Sequence, residues 1–394
     1  MERRERLTAL AAELEERFSA WGRDPEPWPD ALFDELALRA FELQFEHVPV
    51  YREYCRRRGA DPASVGGWRS IPPVPTAAFR EVELTVAAPG PDDLVFRTSG
   101  TTRGGRRRGT HRVTRPDLYR AALRPPFARF VLGGAPAVAA AGARGGGRPA
   151  RGGGGTGTEP ARPFRIGSLV TPFEAAPDSS LSFMCGDVLG AFGASGSRHL
   201  AGEGGPDAGA ALAFAEGCAA DGVAACLLAT TLGLDAWLRE LEADEASVRL
   251  PAGSVIMDTG GAKGREGLER EDVLRRARAV LGIPPDRVVN ELGMTELLSQ
   301  RYGRGAGQPL LEGPPWLRTR VLDPGTLEPV TEGEPGVLCH VDLANAGSAV
   351  AVLTEDLGRM RGGGLEWVGR SPGAPPRGCS LATAELLEAR GAGG

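Results

Sequence analysis

Four short segments of this 394-residue chain collect residue types suited to an anionic ligand. The first, Phe96-Arg97-Thr98-Ser99-Gly100-Thr101-Thr102-Arg103-Gly104-Gly105, follows a strand-like run. Its glycines let the backbone approach a phosphate closely, and its N–H groups and hydroxyls supply the donors that a triphosphate needs. A Walker loop would end in Lys, and none ends this one. Read alone, such a Thr/Ser/Gly cluster is more often an ordinary turn. Arg106, Arg107, Arg108 and Arg112 beyond it suit either a solvated hairpin or a screen for phosphate charge. The second segment, Asn290-Glu291-Leu292-Gly293-Met294-Thr295-Glu296, offers a hydroxyl for phosphate beside a carboxylate for magnesium, a hard ion that keeps waters and shares substrate oxygens. It also suits a helix start capped by Thr295. In the third, Thr354-Glu355-Asp356-Leu357-Gly358, a strand-end carboxylate can accept both hydroxyls of a ribose, though an acidic turn after a strand is the commoner case. The fourth, Asp258 to Arg265, holds Lys263, the one lysine among 46 basic residues. A compact ammonium enters a glycine-lined anion site where a planar guanidinium does not. One lysine surviving at a turn by chance fits composition equally well.

The elements that position these segments follow from periodicity. Leu7, Leu10, Leu14 and Phe18, then Phe33, Leu36, Ala40 and Leu43, recur at helical spacing, so the first eighty residues read as helical. Ile71 to Thr76 carries three prolines, must be extended, and leads into the main sheet. From Asp93 onward strand-like runs (94–97, 131–140, 223–229, 254–257, 287–290) alternate with helix-like ones (116–130, 206–220, 232–241, 268–281). Such alternation predicts a parallel sheet covered on both faces. After Trp316 short strand-like pieces predict a smaller β-rich unit, and the Gly-rich stretch 141–157 reads as a surface insertion that buries almost nothing. The expected organisation is a helical region 1–85, an α/β nucleotide-binding core 86–310, a β-rich subdomain 311–368, and a hinge with a truncated terminal segment 369–394.

Composition bounds the function. A net charge of −5 without a basic face argues against nucleic acid as the main partner. The longest apolar stretch, Gly222 to Leu238, is interrupted by Asp235, so no membrane span is expected; the N-terminus lacks a secretory signal, and a cytoplasmic location is expected. The six cysteines include no C-x-x-C pair, which gives little support to zinc or iron–sulfur ligation; Cys218, Cys226 and Cys339 read as core.

Taken together, T-S-G-T-T, the G-G-A turn, G-x-T-E and T-x-D resemble the adenylate-forming superfamily of acyl- and aryl-CoA synthetases. Within it the chain is most similar to the acyl-protein synthetases of bacterial bioluminescence, the LuxE family, and to the related phenylacetate-CoA ligases. The segments 71–80, 98–112, 259–265, 290–300 and 356–359 carry the likeness. It implies the large N-terminal domain of adenylate-forming enzymes, with parallel sheets flanked by helices, a small β-rich subdomain and a truncated C-terminal domain. It also implies ATP and Mg2+ as cofactors and a two-step reaction. A carboxylate, a fatty acid by the resemblance, attacks the α-phosphorus of ATP and releases pyrophosphate; a thiol then captures the acyl group.

By the same resemblance Thr98, Ser99, Gly100, Thr101 and Thr102 hold phosphates, Gly260, Gly261 and Ala262 border adenine, Thr295 and Glu296 serve phosphate and magnesium, and Asp356 holds ribose. Gly369-Arg370 resembles the superfamily hinge. Leu292 departs from the pattern, since an aromatic residue usually stacks on adenine there. Cys379 matches the cysteine that accepts the acyl group in LuxE-like proteins, and its Gly and Pro neighbours predict an exposed loop that swings toward the adenylate. Arg377 and Arg370 would favour its thiolate. Lys263 would contact the α-phosphate or the attacking carboxylate. The expected partners are a carboxylic acid and an acyl-accepting protein, reductase-like or a carrier. Two other readings stay open: a ligase that acylates CoA, an amine or a carrier directly, and a nucleotide-binding scaffold whose site has decayed. The stretch 168–192, with Phe173, Phe183, Met184 and Phe192, serves either as acyl pocket or as core.

Overall fold

The computed structural model describes residues 2–98, 107–133, 164–260, 268–305, 307, 309–370 and 375–391. Ser99 to Thr102, Gly261, Ala262, Lys263, Arg106 and the insertion 141–157 lie outside them. Three N-terminal helices, α1 (Glu2–Arg23), α2 (Asp30–His47) and α3 (Pro49–Arg57), bury the apolar stripes read from the sequence. They pack into the core of the rest of the chain. Phe18 stacks on Trp316 with centroids 4.1 Å apart. Gln44 donates to the carbonyls of Asn345 and Ala346 and accepts from Val350 N at 3.0 Å. A buried amide satisfied on both sides fixes α2 against the β-rich part more specifically than apolar contact does.

Among the described residues two sheets dominate. One runs in the order β11 (Arg301–Arg304), β10 (Val288–Leu292), β9 (Val255–Thr259), β8 (Ala225–Thr230), β4 (Arg165–Ser168), β5 (Arg198–His199). All its pairings are parallel except β10 with β11. β9 is buried along its whole length, as expected for a strand covered on both faces. Helices α4 (Pro116–Pro126), α5 (Ser180–Phe192), α6 (Ala208–Asp221), α7 (Thr231–Ala243) and α8 (Arg270–Arg276) flank it. The second sheet runs β1 (Val74–Pro75), β14 (Ala351–Arg361), β13 (Gly336–Asp342), β12 (Leu317–Leu322), with β15 (Gly364–Arg370) also paired to β14. Smaller hairpins join β2 (Leu94–Arg97) to β3 (Thr110–Val113) and β6 (Ala201–Gly202) to β7 (Gly205–Pro206).

Three expectations need correction. Residues 131–133 do not start a strand: Phe127–Val131 is a π-helical turn that continues α4, and 134–140 lie outside the described residues. The proline-rich segment joins the β14 sheet rather than the parallel one, through Val74 opposite Val352. The third correction concerns the terminus, where Cys379 lies in helix α9 (Arg377–Gly391) and not in an open loop. Cys379, Ala382, Leu386 and Ala389 recur at helical spacing and are all buried, so burial of one apolar stripe holds this segment helical.

Candidate active site

The parallel strands β8, β9 and β10 end together, and a cavity of about 490 Å³ opens at their carboxyl edge, where open α/β sheets receive ligands. Thr230, Thr259, Gly260, Glu291 and Gly293 line it from these strand ends. Two helices start there. Ser179 caps α5 by accepting from Ser182 N, and Thr230 caps α7 by accepting from Gly233 N at 3.0 Å. Both starts face the cavity, and helix N-termini favour negative charge. Five arginines, Arg80, Arg97, Arg107, Arg108 and Arg370, stand in the same wall.

Of the site residues read from the sequence, Thr98, Gly260, Thr295, Glu296 and Arg370 line this one cavity. Thr98 and Gly109 continue the β2–β3 ladder: Thr98 N donates to Gly109 O at 3.0 Å, and Gly109 N donates to Thr98 Oγ1 at 2.9 Å. The β2–β3 hairpin thus gains one residue pair beyond Arg97 and Thr110. Arg108 fastens its base by donating to the carbonyls of Thr98 and Arg97, and it pairs with Asp178 at 2.7 Å. Arg112 pairs with Glu83 and Asp93. Thus Arg108 and Arg112 are committed to structure, whereas Arg107 is an exposed arginine in the cavity wall.

Gly260 has φ +92°, which a side chain would strain. Just before it, Asp258 is buried and accepts from Arg270 Nη1 at 2.8 Å and from Thr231 Oγ1 at 2.8 Å, so the strand end is fixed from two helices. Gly293 is needed for close approach: a Cβ there would collide with the Glu291 carboxylate, which accepts from Thr259 Oγ1.

Glu296 is 7% exposed, and burial raises its carboxyl to about 7, opposed by the nearby Arg370 charge. Among the described residues no group of three His, Cys, Asp or Glu side chains could hold a metal ion. Asp356 lies just behind the wall, opposite Arg370 across β14–β15, with Arg370 Nε 3.6 Å from Asp356 Oδ1. Leu292 ends β10, partly buried against a small apolar cluster with Leu338 and Leu365.

Sequence reading missed His111. It is 1% exposed on β3, with Nδ1 2.8 Å from Thr295 O, and burial lowers its pKa to about 4. The neutral ring, protonated on Nδ1, donates to that carbonyl and ties the β2–β3 hairpin to the Thr295–Glu296 segment. Its signal was faint, one histidine in an alternating strand. Glu291, Gln300 and Glu355 also line the cavity without having been singled out as site residues. Phe173 and Phe183 pack in an aromatic cluster with Phe96 and Tyr119, and of that cluster only Tyr119 reaches the cavity wall.

Cys379 is 4% exposed, and its thiol donates to Thr354 O at 3.3 Å. Burial pushes it up to about 12. It lines an adjoining cavity of about 230 Å³ that shares Thr76, Arg80 and Glu355 with the first.

Residues 229–387 match the sequence family described as acyl-protein synthetase, LuxE. Long-chain-fatty-acid–luciferin-component ligase of Aliivibrio fischeri is 32% identical over 84 residues, 19% of this chain and 22% of the relative. The ligase of the same name from Vibrio harveyi is 31% identical over 88 residues, 21% of this chain and 23% of the relative. The chain thus matches less than a quarter of the length of either ligase. In structure it is similar to 2-hydroxyisobutyryl-CoA ligase in an open conformation with 2-HIB-AMP and CoA, at TM-score 0.56 and 14% identity, over 87% of this chain and 73% of that one. The postadenylation state of that ligase matches at TM-score 0.53 and 15% identity, over 89% of this chain and 68% of that one. At such identity the likeness concerns the fold alone, which is that of adenylate-forming enzymes, as expected. None of the described helices is long and apolar enough to cross a membrane.

Proposed function

We propose, from the match of residues 229–387 to the family described as acyl-protein synthetase, LuxE, that the chain is an ATP-dependent acyl-protein synthetase. It joins a carboxylic acid to the α-phosphorus of ATP with release of pyrophosphate, then passes the acyl group to a thiol. The observation that carries this reading is the convergence of Thr98, Gly260, Thr295, Glu296 and Arg370 on one cavity at the carboxyl edge of the parallel sheet.

Thr98 to Thr102 hold the phosphates, and Arg80, Arg97 and Arg107 oppose their charge at the two helix starts. Gly260 to Ala262 border adenine, and Asp356 holds ribose, with Arg370 Nε 3.6 Å from its Oδ1. Lys263 contacts the α-phosphate or the attacking carboxylate. The buried Glu296 carboxylate among phosphate-binding donors fits Mg2+, which takes one or two carboxylates and completes its shell with substrate oxygens and water. Glu296 would hold that ion, whose positive charge would be supplied against the transferring phosphate oxygens. His111 holds Thr295 in register for that task. The two bacterial relatives are named for long-chain fatty acids, and a fatty acid is the proposed substrate.

The proposed acceptor is Cys379, one cavity away from the adenylation site. Its thiolate attacks the acyl carbonyl, the carbon–oxygen bond to AMP breaks, and the thioester is handed to an acyl-accepting protein, a reductase-like enzyme or a carrier. A thiol held protonated against Thr354 O does not attack, so α9 must shift before transfer. That burial favours a second reading, direct transfer to CoA, an amine or a carrier protein. Incubation with labelled acid, ATP and magnesium separates them. A hydroxylamine-sensitive label on wild type that is lost in Cys379→Ala supports self-acylation. Undiminished label in that variant removes Cys379 as acceptor, and unlabelled protein with full turnover to a small acceptor supports direct transfer.

A further inference from the structure

A larger cavity, of about 770 Å³, lies where the start of α2, the Trp68 turn and strands β11 and β12 meet, and it shares no residue with the site above. Arg301, the first residue of β11, stands in its wall with 6% of its surface exposed. Its Nη2 donates to Leu317 O at 3.0 Å and to Thr319 Oγ1 at 2.8 Å. Its Nε is buried without a partner. Among the described residues no carboxylate forms an ion pair with Arg301, and burial holds its pKa down to about 10, with only the more distant Asp342 opposing that. A buried guanidinium without a counter-charge is costly, and the cost is removed when an anion binds it.

The cavity leaves that group open. Gly313 lines the same wall, and a Cβ on it would fall 3.2 Å from Arg301 Nη1, so a glycine uncovers the guanidinium edge. A second buried donor, Trp68 Nε1, has no partner, and Trp68 lines the cavity while only 4% exposed. Of the other charges nearby, Asp30 pairs with Arg318 and Arg69, whereas Arg320 bonds only neutral acceptors, the carbonyls of Arg69 and Ile71 and Cys339 Sγ, and its Nε also lacks a partner among the described residues. Glu312, Glu332 and Glu334 share the wall, and none of them pairs with Arg301.

We propose that this cavity is a second binding site, for a small molecule bearing a carboxylate or phosphate oxyanion that accepts from the unpartnered N–H groups of Arg301. The test is thermal unfolding and titration calorimetry of the full chain with inorganic phosphate and, separately, acetate, with chloride at equal ionic strength as control. At least one oxyanion should bind wild type saturably and raise Tm beyond chloride, and the arm that does so identifies the class. Arg301→Met, which keeps the packing volume, should weaken that binding by roughly ten- to a hundredfold, the worth of one charge-assisted hydrogen bond. Gly313→Val should do the same by covering Nη1, and it serves as the second variant should Arg301→Met fail to fold. Binding that survives both substitutions belongs to the first cavity and overturns the proposal, as does a wild type that responds to no oxyanion beyond chloride.

Discussion

Docked as it is, Cys379 should react with a small thiol reagent about a thousandfold more slowly than an open thiol. Burial moves its pKa from an ordinary 9.0 to about 12, and each unit removes a factor of ten from the thiolate, the only form that reacts. What keeps it docked is an apolar stripe on α9 and a few surface pairs: Arg58 with Glu385 at 2.7 Å, and Arg57 with Glu388 at 3.3 Å. Exposed pairs of this kind contribute ~0.2–1 kcal/mol each. Removing both, in Arg57→Ala/Arg58→Ala, should cost about 1 kcal/mol of docking and raise the undocked population, and with it the labelling rate, roughly fivefold. The assay is the rate of iodoacetamide addition resolved by mass spectrometry for each cysteine. Buried Cys55 and Cys185, both also pushed up to about 12, provide internal references. Wild-type Cys379 labelled as fast as a free thiol would refute the docked geometry as the ground state. A slow rate left unchanged in the double variant would refute undocking as the route to reactivity.

The other predictions concern the proposed adenylation site. Burial raises Glu296 to about 7 from 4.5, so the folded state binds its proton more tightly than the unfolded one; the stability this provides is complete below pH 4.5 and is lost as pH rises through about 7. Glu296→Gln should therefore exceed wild type by up to about 3 kcal/mol at pH 8 in denaturant melts, with the difference closing toward pH 4.5. It should also lose magnesium-dependent pyrophosphate exchange. A variant less stable than wild type at pH 8 would contradict the burial cost. His111→Ala should raise KM for ATP about five- to tenfold through loss of one hydrogen bond to Thr295 O, with no change in the pH profile between 6 and 8, because a ring at about 4 is neutral throughout. A wild-type inflection in that window that disappears in the variant would overturn the positioning role. Lys263→Ala should depress pyrophosphate exchange by ~10²- to 10³-fold, the usual worth of a positioned cation on developing phosphoryl charge. A fully active Lys263→Arg would show that the site does not need its ammonium.

The sequence was most legible where a single period runs long. Helical stripes such as Leu7 to Phe18 and the short apolar runs of β8, β9 and β10 appear within two or three residues of where they were expected. The strand-end placement of Thr98, Gly260, Thr295, Glu296 and Arg370 was legible, because each sits at a strand end or in the turn after one; that these ends, from three different sheets, meet at one cavity was not. Illegible were features set by partners far along the chain. The helix around Cys379 carries Gly and Pro signals locally and is held by a stripe that matters only once the β14 sheet exists to cover it. His111 reads as one residue of an alternating strand until Thr295, 184 positions away, lies against it. β4 and β5, at four and two residues, are too short for a period to show.

The measurement that bears most directly on the whole account is exchange of labelled pyrophosphate into ATP by the full chain with magnesium, with and without added carboxylic acids from short to long chain. Formation of an acyl-adenylate requires exchange that appears only with an acid, is lost in Glu296→Gln, and persists in Cys379→Ala, since the thiol enters after pyrophosphate has left. No exchange with any acid, or exchange equally fast without one, would contradict it.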